Sequence, residues 1–156
     1  RDIFVYPKSH HNVLNTFEAL LKQNVVPIVN ENDTVAVDEL DHETKFGDND
    51  QLSAIVATNI GADLLIMLSD IDGFYDGNPN ADARAQLLGH IEKVDQHTYK
   101  LAGGSGSRFG TGGMVTKLKA AERMIDANGQ MILANGADPT IIFQILAGEP
   151  VGTLFG

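Results

Sequence analysis

A glycine-rich segment at residues 103–113 is the part of this sequence best suited to binding chemistry. Six of its eleven residues are glycine, and a pattern typical of a helix follows from Met114. Glycine loses more backbone entropy on ordering than any other residue, so such a run suits a loop whose amides must approach an anion closely. A helix N-terminus also favours negative charge through its free N–H groups and its dipole. Because Lys117 lies one turn into that helix, the segment predicts a phosphate site of the kind that nucleotides occupy.

A mobile linker is the alternative interpretation of this segment, because glycine-rich linkers are common. The segment is not a Walker A sequence, because Thr116 precedes Lys117 and Leu118 follows it. It is not a Rossmann fingerprint either, because residues 97–102 predict a short helix where that fingerprint needs a strand. By itself the segment leaves phosphate binding and a linker both open.

Length and composition limit the classes of protein to consider. With 156 residues, of which 43% are hydrophobic, the chain is long enough for one globular domain with a real core. A net charge of −10 and a pI near 4.7 argue against nucleic acid or an anionic membrane as a partner. No apolar run approaches membrane-spanning length. The absence of cysteine excludes disulfides and thiolate metal sites and is consistent with a cytoplasmic protein.

Helices and strands that alternate along the chain must position the glycine-rich segment. Apolar residues at helical spacing predict helices at 9–23, 50–60, 97–102, 114–127 and 139–146. Short apolar runs predict strands at 25–29, 35–37, 64–68, 130–134 and 151–155, with a charged hairpin tip at 38–45.

Two of the helices have predicted caps. Asp48 or Asp50 is expected to cap the second helix, and Gly61 to end it. Asp138 is expected to cap the last helix ahead of Pro139, with Gly148 at its end. The second helix is predicted to bury one apolar stripe. The members of that stripe are Leu52, Ile55, Val56 and Ile60.

This alternation predicts the α/β class, in the form of a three-layer α/β/α sandwich with a mainly parallel sheet. Ligands of such sheets bind beyond the C-terminal ends of the strands. Polar segments follow three of the predicted strands, at 30–33, 69–73 and 135–138. We expect these segments to line one cleft together with the glycine-rich segment.

Five motifs occur in order along the chain. They are VPIVNEND at 26–33, GDNDQLSA at 47–54, LSD at 68–70 with Gly73 and Tyr75, GTGGM at 110–114 with Thr116 and Lys117, and VGTLF at 151–155. Together they resemble the amino acid kinase family, over nearly the whole chain. The combination of NEND with GDND resembles the members that phosphorylate glutamate more than those that act on aspartate, acetylglutamate, carbamate or uridylate.

The resemblance implies that the γ-phosphoryl group of ATP, bound with Mg²⁺, is transferred to the side-chain carboxylate of glutamate, as the first step of proline biosynthesis. That carboxylate has an ordinary pKa of about 4.3, so it is ionised at neutral pH and needs no general base. Catalysis is then expected to rest on positioning and charge neutralisation. The Mg²⁺ is expected to arrive on the ATP phosphates, and no protein metal site is predicted. A non-catalytic module that binds a nucleotide or an amino acid is the alternative.

The resemblance also implies roles for individual residues. Lys117 would be the cation that holds the phosphates, with its side chain exposed until the nucleotide binds, and Asp50 the carboxylate that orients the catalytic lysines. Asp33 and Asn49 would bind the ammonium and a carboxylate of glutamate, and Asp48 would assist at the ammonium. Without the resemblance these residues would be interpreted as a solvated lysine, a helix cap and turn-forming residues.

Nucleotide contacts are implied after the central strand and around the start of the following long helix. The residues are Ser69, Asp70, Thr111, Gly112, Gly113, Met114, Val115, Thr116 and Lys117. Asp70 by itself would also fit an ordinary turn or helix cap.

Residues 1–156 resemble only the C-terminal, nucleotide-holding part of the family's kinase domain, with part of the glutamate site. The family's domain opens with a strand and with a lysine- and glycine-containing turn that holds the transferred phosphoryl group. This sequence matches neither, so we expect the 156-residue chain by itself to be inactive. The resemblance further implies a cytoplasmic homo-oligomer.

Overall fold

A computed structural model describes residues 7–30, 49–79, 81–102 and 113–156. The helices in these ranges are α1 Pro7–Lys22, α2 Asn49–Asn59, α3 Gln96–Ala102, α4 Gly113–Asp126 and α5 Ile141–Leu146. The strands are β1 Leu64–Ser69, β2 His90–Ile91, β3 Gln130–Asn135 and β4 Thr153–Phe155. None of the helices in the described ranges is long and apolar enough to span a membrane.

The strands form one mixed sheet in the order β1-β3-β4-β2. β1 pairs in parallel with β3, and β2 pairs in parallel with β4, while β3 and β4 are antiparallel. The longest pairing, between β1 and β3, joins the two continuous apolar runs; β3 is mostly buried, whereas Leu68 of β1 is 37% exposed. The predicted α/β class with a mainly parallel sheet is confirmed. The sequence does not predict β2, because two residues are too few to show an alternation.

The main core lies between this sheet and the helix pair α2–α4. Its buried members come from both helices and from β1, β3 and β4, with one phenylalanine from the loop after β1. Ala54 and Ala57 of α2 belong to the same cluster as Ala120 and Ala121 of α4, and the two helices are in contact. The separation of two packed helices depends on the side chains between them, so alanines allow a close approach.

The apolar stripe that was predicted as the buried face of α2 is therefore wrong. Leu52, Ile55 and Val56 are only partly buried, and Ile60 is 38% exposed. The residues of α2 that belong to the buried core are alanines, whereas a hydrophobic pattern gives most weight to large residues.

The predicted helix ends are correct within two residues, and α5 begins two residues later than predicted, at Ile141. The Asp138 carboxylate accepts hydrogen bonds from the Thr140 amide at 2.9 Å and from the Thr140 hydroxyl at 2.7 Å. These bonds close a turn over Pro139, which moves the start of the helix. α5 ends as predicted before Gly148, whose φ of 77° glycine adopts without strain.

The strand predicted at 25–29 is also wrong. Residues 25–30 have no regular secondary structure, and Val26 and Ile28 are 82% and 96% exposed. A β-branched run forms a strand only where a second strand accepts its hydrogen bonds, and none of the described strands pairs with it. Pro27 also lacks the N–H that a ladder needs. The strand and hairpin tip predicted at 35–37 and 38–45 lie outside the described residues.

Short connections bring four polar ends to one edge of the sheet. α2 leads through Gly61 into β1, and α4 leads through Asn128 into β3. The Gln130 amide donates to the Asp63 carbonyl at 2.9 Å, so the two strands begin side by side. Each helix packs back along the strand that follows it, and its N-terminus lies where that strand ends. The first turns of α2 and α4 and the last residues of β1 and β3 therefore share one edge.

Candidate active site

A lysine–carboxylate pair joins the first turns of α2 and α4. The Lys117 Nζ atom donates to Asp50 Oδ2 at 2.9 Å, and the two side chains are only 15% and 13% exposed. The expectation that Lys117 is exposed is therefore wrong. A pair that is this far from water gains strong attraction but also loses much hydration, so stability alone is a weak reason for it. The pair is better suited to holding a cation at a defined position.

The hydroxyl of Thr116 contacts the same carboxylate oxygen. Its Oγ1 atom lies 2.8 Å from Asp50 Oδ2 and also 2.8 Å from the Gly113 carbonyl oxygen. A hydroxyl carries one proton, so it donates to one of these acceptors at a time. Asp50 lies inside the first turn of α2, so its interpretation as the N-cap is wrong. Its carboxylate instead reaches α4, where it contacts the side chains of Thr116 and Lys117.

A fourth side chain at this place was not predicted from the sequence. The Gln51 Nε2 atom donates to the Thr116 carbonyl oxygen at 2.7 Å, in a partly buried position. The only available signal was the place of Gln51 directly after Asp50 in the motif at 47–54.

The N-terminus of α4 supplies further positive potential beside Lys117. The N–H groups of Gly113, Met114 and Val115 lie in the first turn, where a helix offers them no internal acceptor. They also lie at the positive end of the helix dipole. Three amides without an acceptor inside the helix, with a lysine one turn further along, are well suited to an anion with several oxygens, such as a phosphate.

The ends of β1 and β3 form a second polar group at the same edge. Ser69 and Asn135 are partners in the parallel register, and the Gly136 amide donates to the Ser69 carbonyl oxygen at 2.8 Å. The Asn135 amide nitrogen donates to Asp72 Oδ1 at 2.8 Å. The predicted convergence of the segments at 69–73 and 135–138 is confirmed. The sequence pointed to both segments, but it did not single out Asp72 or Asn135.

Two neighbouring groups have shifted acidities. Burial, together with the nearby Asp72 carboxylate, raises the pKa of Tyr75, whose hydroxyl donates to Asp72 Oδ2 at 3.3 Å. Hydrogen bonds from the Thr140 side chain and amide lower the pKa of Asp138. These pKa shifts favour a neutral Tyr75 and an ionised Asp138 at this edge. At the end of β1, Ser69 Oγ donates a hydrogen bond to Asp70 Oδ1 at 3.2 Å.

Of the remaining predicted site residues, the structure describes Asn49. Asn49 is the first residue of α2 and is exposed beside Asp50. The other predictions at this site, Asp33, Asp48, Thr111 and Gly112, lie outside the described residues. Within the described ranges, no three acidic or histidine side chains are grouped so that they could hold a metal ion.

Comparisons with known proteins concern the family of the chain and its fold. The model of the amino acid kinase family matches residues 6–135. A glutamate 5-kinase of Enterococcus faecalis is 62% identical over 155 residues, which are 99% of this chain and 57% of that protein. The glutamate 5-kinase of Listeria innocua is 60% identical over 99% of this chain and 56% of its own length. The chain thus spans just over half the length of these relatives.

Two solved structures share the fold at low sequence identity. The UMP kinase of Ureaplasma parvum superposes with a TM-score of 0.54, at 17% identity, over 89% of this chain and 51% of its own. The isopentenyl phosphate kinase of T. acidophilum superposes with a TM-score of 0.50, at 24% identity, over 67% of this chain and 38% of its own. These two likenesses concern the fold alone.

Proposed function

This chain belongs to the amino acid kinase family, and we propose that the full-length protein containing it transfers the γ-phosphoryl group of ATP to the side-chain carboxylate of glutamate. The observation that carries the proposal is the buried contact of Lys117 with Asp50 at the N-terminus of α4, directly after the glycine-rich segment. The names of the relatives at 62% and 60% identity support glutamate as the acceptor.

The chemistry requires no proton transfer from the acceptor. An ionised carboxylate oxygen of glutamate attacks the γ-phosphorus, the bond from that phosphorus to the β–γ bridging oxygen breaks, and ADP leaves with the electron pair. The obstacle is the approach of two anions. Lys117 and the amides of the first turn of α4 offset the negative charge that gathers on the transferred group. Asp50 holds the lysine in place between turnovers.

The substrates are assigned to two sides of the shared edge. ATP is proposed to lie against the end of β1 and the start of α4. Its contacts are Ser69, Asp70, Thr111, Gly112, Gly113, Met114, Val115, Thr116 and Lys117. Glutamate is proposed to contact Asp33 and Asn49, with Asp48 near its ammonium. The exposure of Asn49 at the start of α2 supports this side for the amino acid.

Magnesium is proposed to enter with ATP and to neutralise part of the phosphate charge. An ion of this kind keeps several waters and is bound mainly through phosphate oxygens with few protein carboxylates. Residues 1–156 are proposed to be the C-terminal portion of the kinase domain. We also propose that the full-length protein is a cytoplasmic homo-oligomer and that its product enters proline biosynthesis.

A substrate panel tests the proposal. The full-length protein is incubated with MgATP and with glutamate, aspartate or uridylate, and both ADP release and hydroxylamine-trapped acyl phosphate are measured. We expect turnover with glutamate and at least about 100-fold less with aspartate, because one missing methylene displaces the reacting carboxylate. Turnover of uridylate, or no acyl phosphate with glutamate, would contradict the proposal.

A matched pair of variants then tests the site. Lys117→Met should lower turnover by a factor of several hundred or more, as expected for the loss of a preorganised charge. Lys119→Met changes an exposed lysine two positions further along the same helix and should leave turnover within about two-fold. Equal effects of the two changes would remove Lys117 from the mechanism.

A further inference from the structure

Gln51 makes a contact that concerns Lys117 although the two side chains are not bonded to each other. Its amide donates to the carbonyl oxygen of Thr116 at 2.7 Å. That carbonyl belongs to the peptide group whose nitrogen is the backbone nitrogen of Lys117. Because the peptide group is planar, a bond that fixes the oxygen also fixes the plane from which Lys117 extends.

Neighbouring residues of α2 thus hold both ends of one lysine. Asp50 accepts a hydrogen bond from the ammonium group of Lys117 at 2.9 Å, and Gln51 holds the peptide group at its backbone end. A carbonyl oxygen has two lone pairs, so Thr116 can serve Gln51 and still accept the helical bond from the amide four residues later. The contact adds a constraint to α4 without breaking its ladder.

We propose that Gln51 is a positioning residue for Lys117, an inference that rests on the proposed phosphoryl transfer. When ATP binds, the lysine must turn part of its hydrogen bonding from Asp50 to the phosphates. The backbone under it stays fixed only if another bond holds the first turn of α4 against α2, and the neutral Gln51 contact does this whether or not the ion pair is intact. Misplacement of a reacting group by about 1 Å costs up to about 100-fold in rate.

General helix packing does not depend on this contact. The buried alanines at 54, 57, 120 and 121 lie in the core cluster, and Gln51 lies outside it, at the end of the helix pair where the site is. Loss of the Gln51 amide should therefore relax the site end of the pair while the core contact remains. Turnover is expected to fall much more than stability.

Three variants of the full-length protein separate these roles. Gln51→Met keeps the length of the side chain and removes the donor. Gln51→Arg keeps a donor that can reach a carbonyl oxygen. Thr58→Val removes a hydroxyl bond on the same helix that stays within the helix, to the Ala54 carbonyl oxygen at 2.9 Å. Turnover of glutamate by the unchanged protein is measured first, so that a failure of the proposed function is seen before any variant is compared.

We expect Gln51→Met to lower kcat about 10- to 30-fold and to change the KM values for ATP and glutamate by less than about two-fold. Gln51→Arg should recover kcat to within about three-fold of the unchanged protein, and Thr58→Val should not alter it. In a Lys117→Met background, Gln51→Met should have no further effect on the residual rate, because residues that act through one group are not additive.

Each opposite result overturns the inference. An unchanged kcat in Gln51→Met would show that the contact has no role in turnover. A loss that Gln51→Arg does not recover, or one that appears in KM alone, would show that the donor to the Thr116 carbonyl is not what matters. Multiplying losses in the Lys117→Met background would show that Gln51 acts through another group. A drop in melting temperature that matches the loss of activity would reduce Gln51 to a structural residue.

Discussion

Removing both charges of the Asp50–Lys117 pair is expected to restore part of the stability that is lost when the lysine alone is removed, but none of the activity. A double-mutant cycle can separate these two effects. The changes are Lys117→Met, Asp50→Asn and the two together, in the full-length protein. The two side chains are 15% and 13% exposed and are joined at 2.9 Å, so each charge has lost most of its water. Removing one partner from such a pair leaves the other charge buried, which typically costs about 3–5 kcal/mol.

The expected cost differs between the two single changes. Lys117→Met leaves the Asp50 carboxylate with the Thr116 hydroxyl at 2.8 Å, so we expect the lower end of that range, about 3 kcal/mol. Asp50→Asn keeps an oxygen that can still accept from the lysine, so its cost should be about 1.5 kcal/mol. The double change buries no unpaired charge and should cost about 1.5 kcal/mol in total. The sum of the single changes, about 4.5 kcal/mol, then exceeds the double change by a coupling of about 3 kcal/mol.

Denaturant unfolding measures this coupling, and trapping of the acyl phosphate with hydroxylamine measures turnover on the same samples. The double change should recover about half of the stability that Lys117→Met loses, and yet it should remain several hundred-fold less active, because no cation is left to offset the transferred charge. A double change that is as unstable as the sum of its parts would refute the reasoning about the pair. Recovery of activity together with stability would refute the catalytic role.

Three further predictions concern other parts of the chain. Asp33→Asn should weaken the apparent affinity for glutamate much more than that for ATP, because a lost ammonium partner affects only the amino acid; the reverse order in titrations of both substrates would contradict the assignment. The 156-residue chain alone should form no detectable acyl phosphate, and clear turnover in the trapping assay would show that it is sufficient for catalysis. Burial and the neighbouring Glu122 raise the pKa of Tyr99 to about 12, so this tyrosine stabilises the fold below about pH 10 and loses that contribution as the pH approaches 12. Unfolding midpoints of Tyr99→Phe should vary less with pH in that window than those of the unchanged protein, and parallel curves would contradict it.

Much of the fold follows from local signals that the sequence states directly. The helix predicted at 114–127 is observed as Gly113–Asp126, because its apolar stripe and its stop at Asn128 are both local. The strands at 64–68 and 130–134 are predicted to within one residue, because a continuous apolar run between turns has few other solutions. Local patterns are sufficient where the residues that begin and end a helix or strand lie next to it in the sequence.

The sequence did not show which distant residues contact each other. Asp50 and Lys117 are 67 residues apart, and no local pattern states that their side chains meet. Their roles could be named only through the resemblance to a family. The strand predicted at 25–29 is wrong for the same reason, since a strand requires a partner that its own sequence does not contain.

The alanines that the hydrophobic pattern undervalued explain why the site can form at all. The separation of two helices is set by the side chains between them, and it grows when those side chains are large. With alanines in the contact of α2 with α4, adjacent residues on one helix reach adjacent residues on the other: Asp50 reaches the ammonium of Lys117, and Gln51 reaches the Thr116 carbonyl. A larger residue at position 54, 57, 120 or 121 is expected to push the two helices apart and so to lengthen these contacts. The small residues in the core and the polar residues at the edge therefore act together. The core packing sets the separation of α2 and α4, and the contacts of Asp50 and Gln51 depend on that separation.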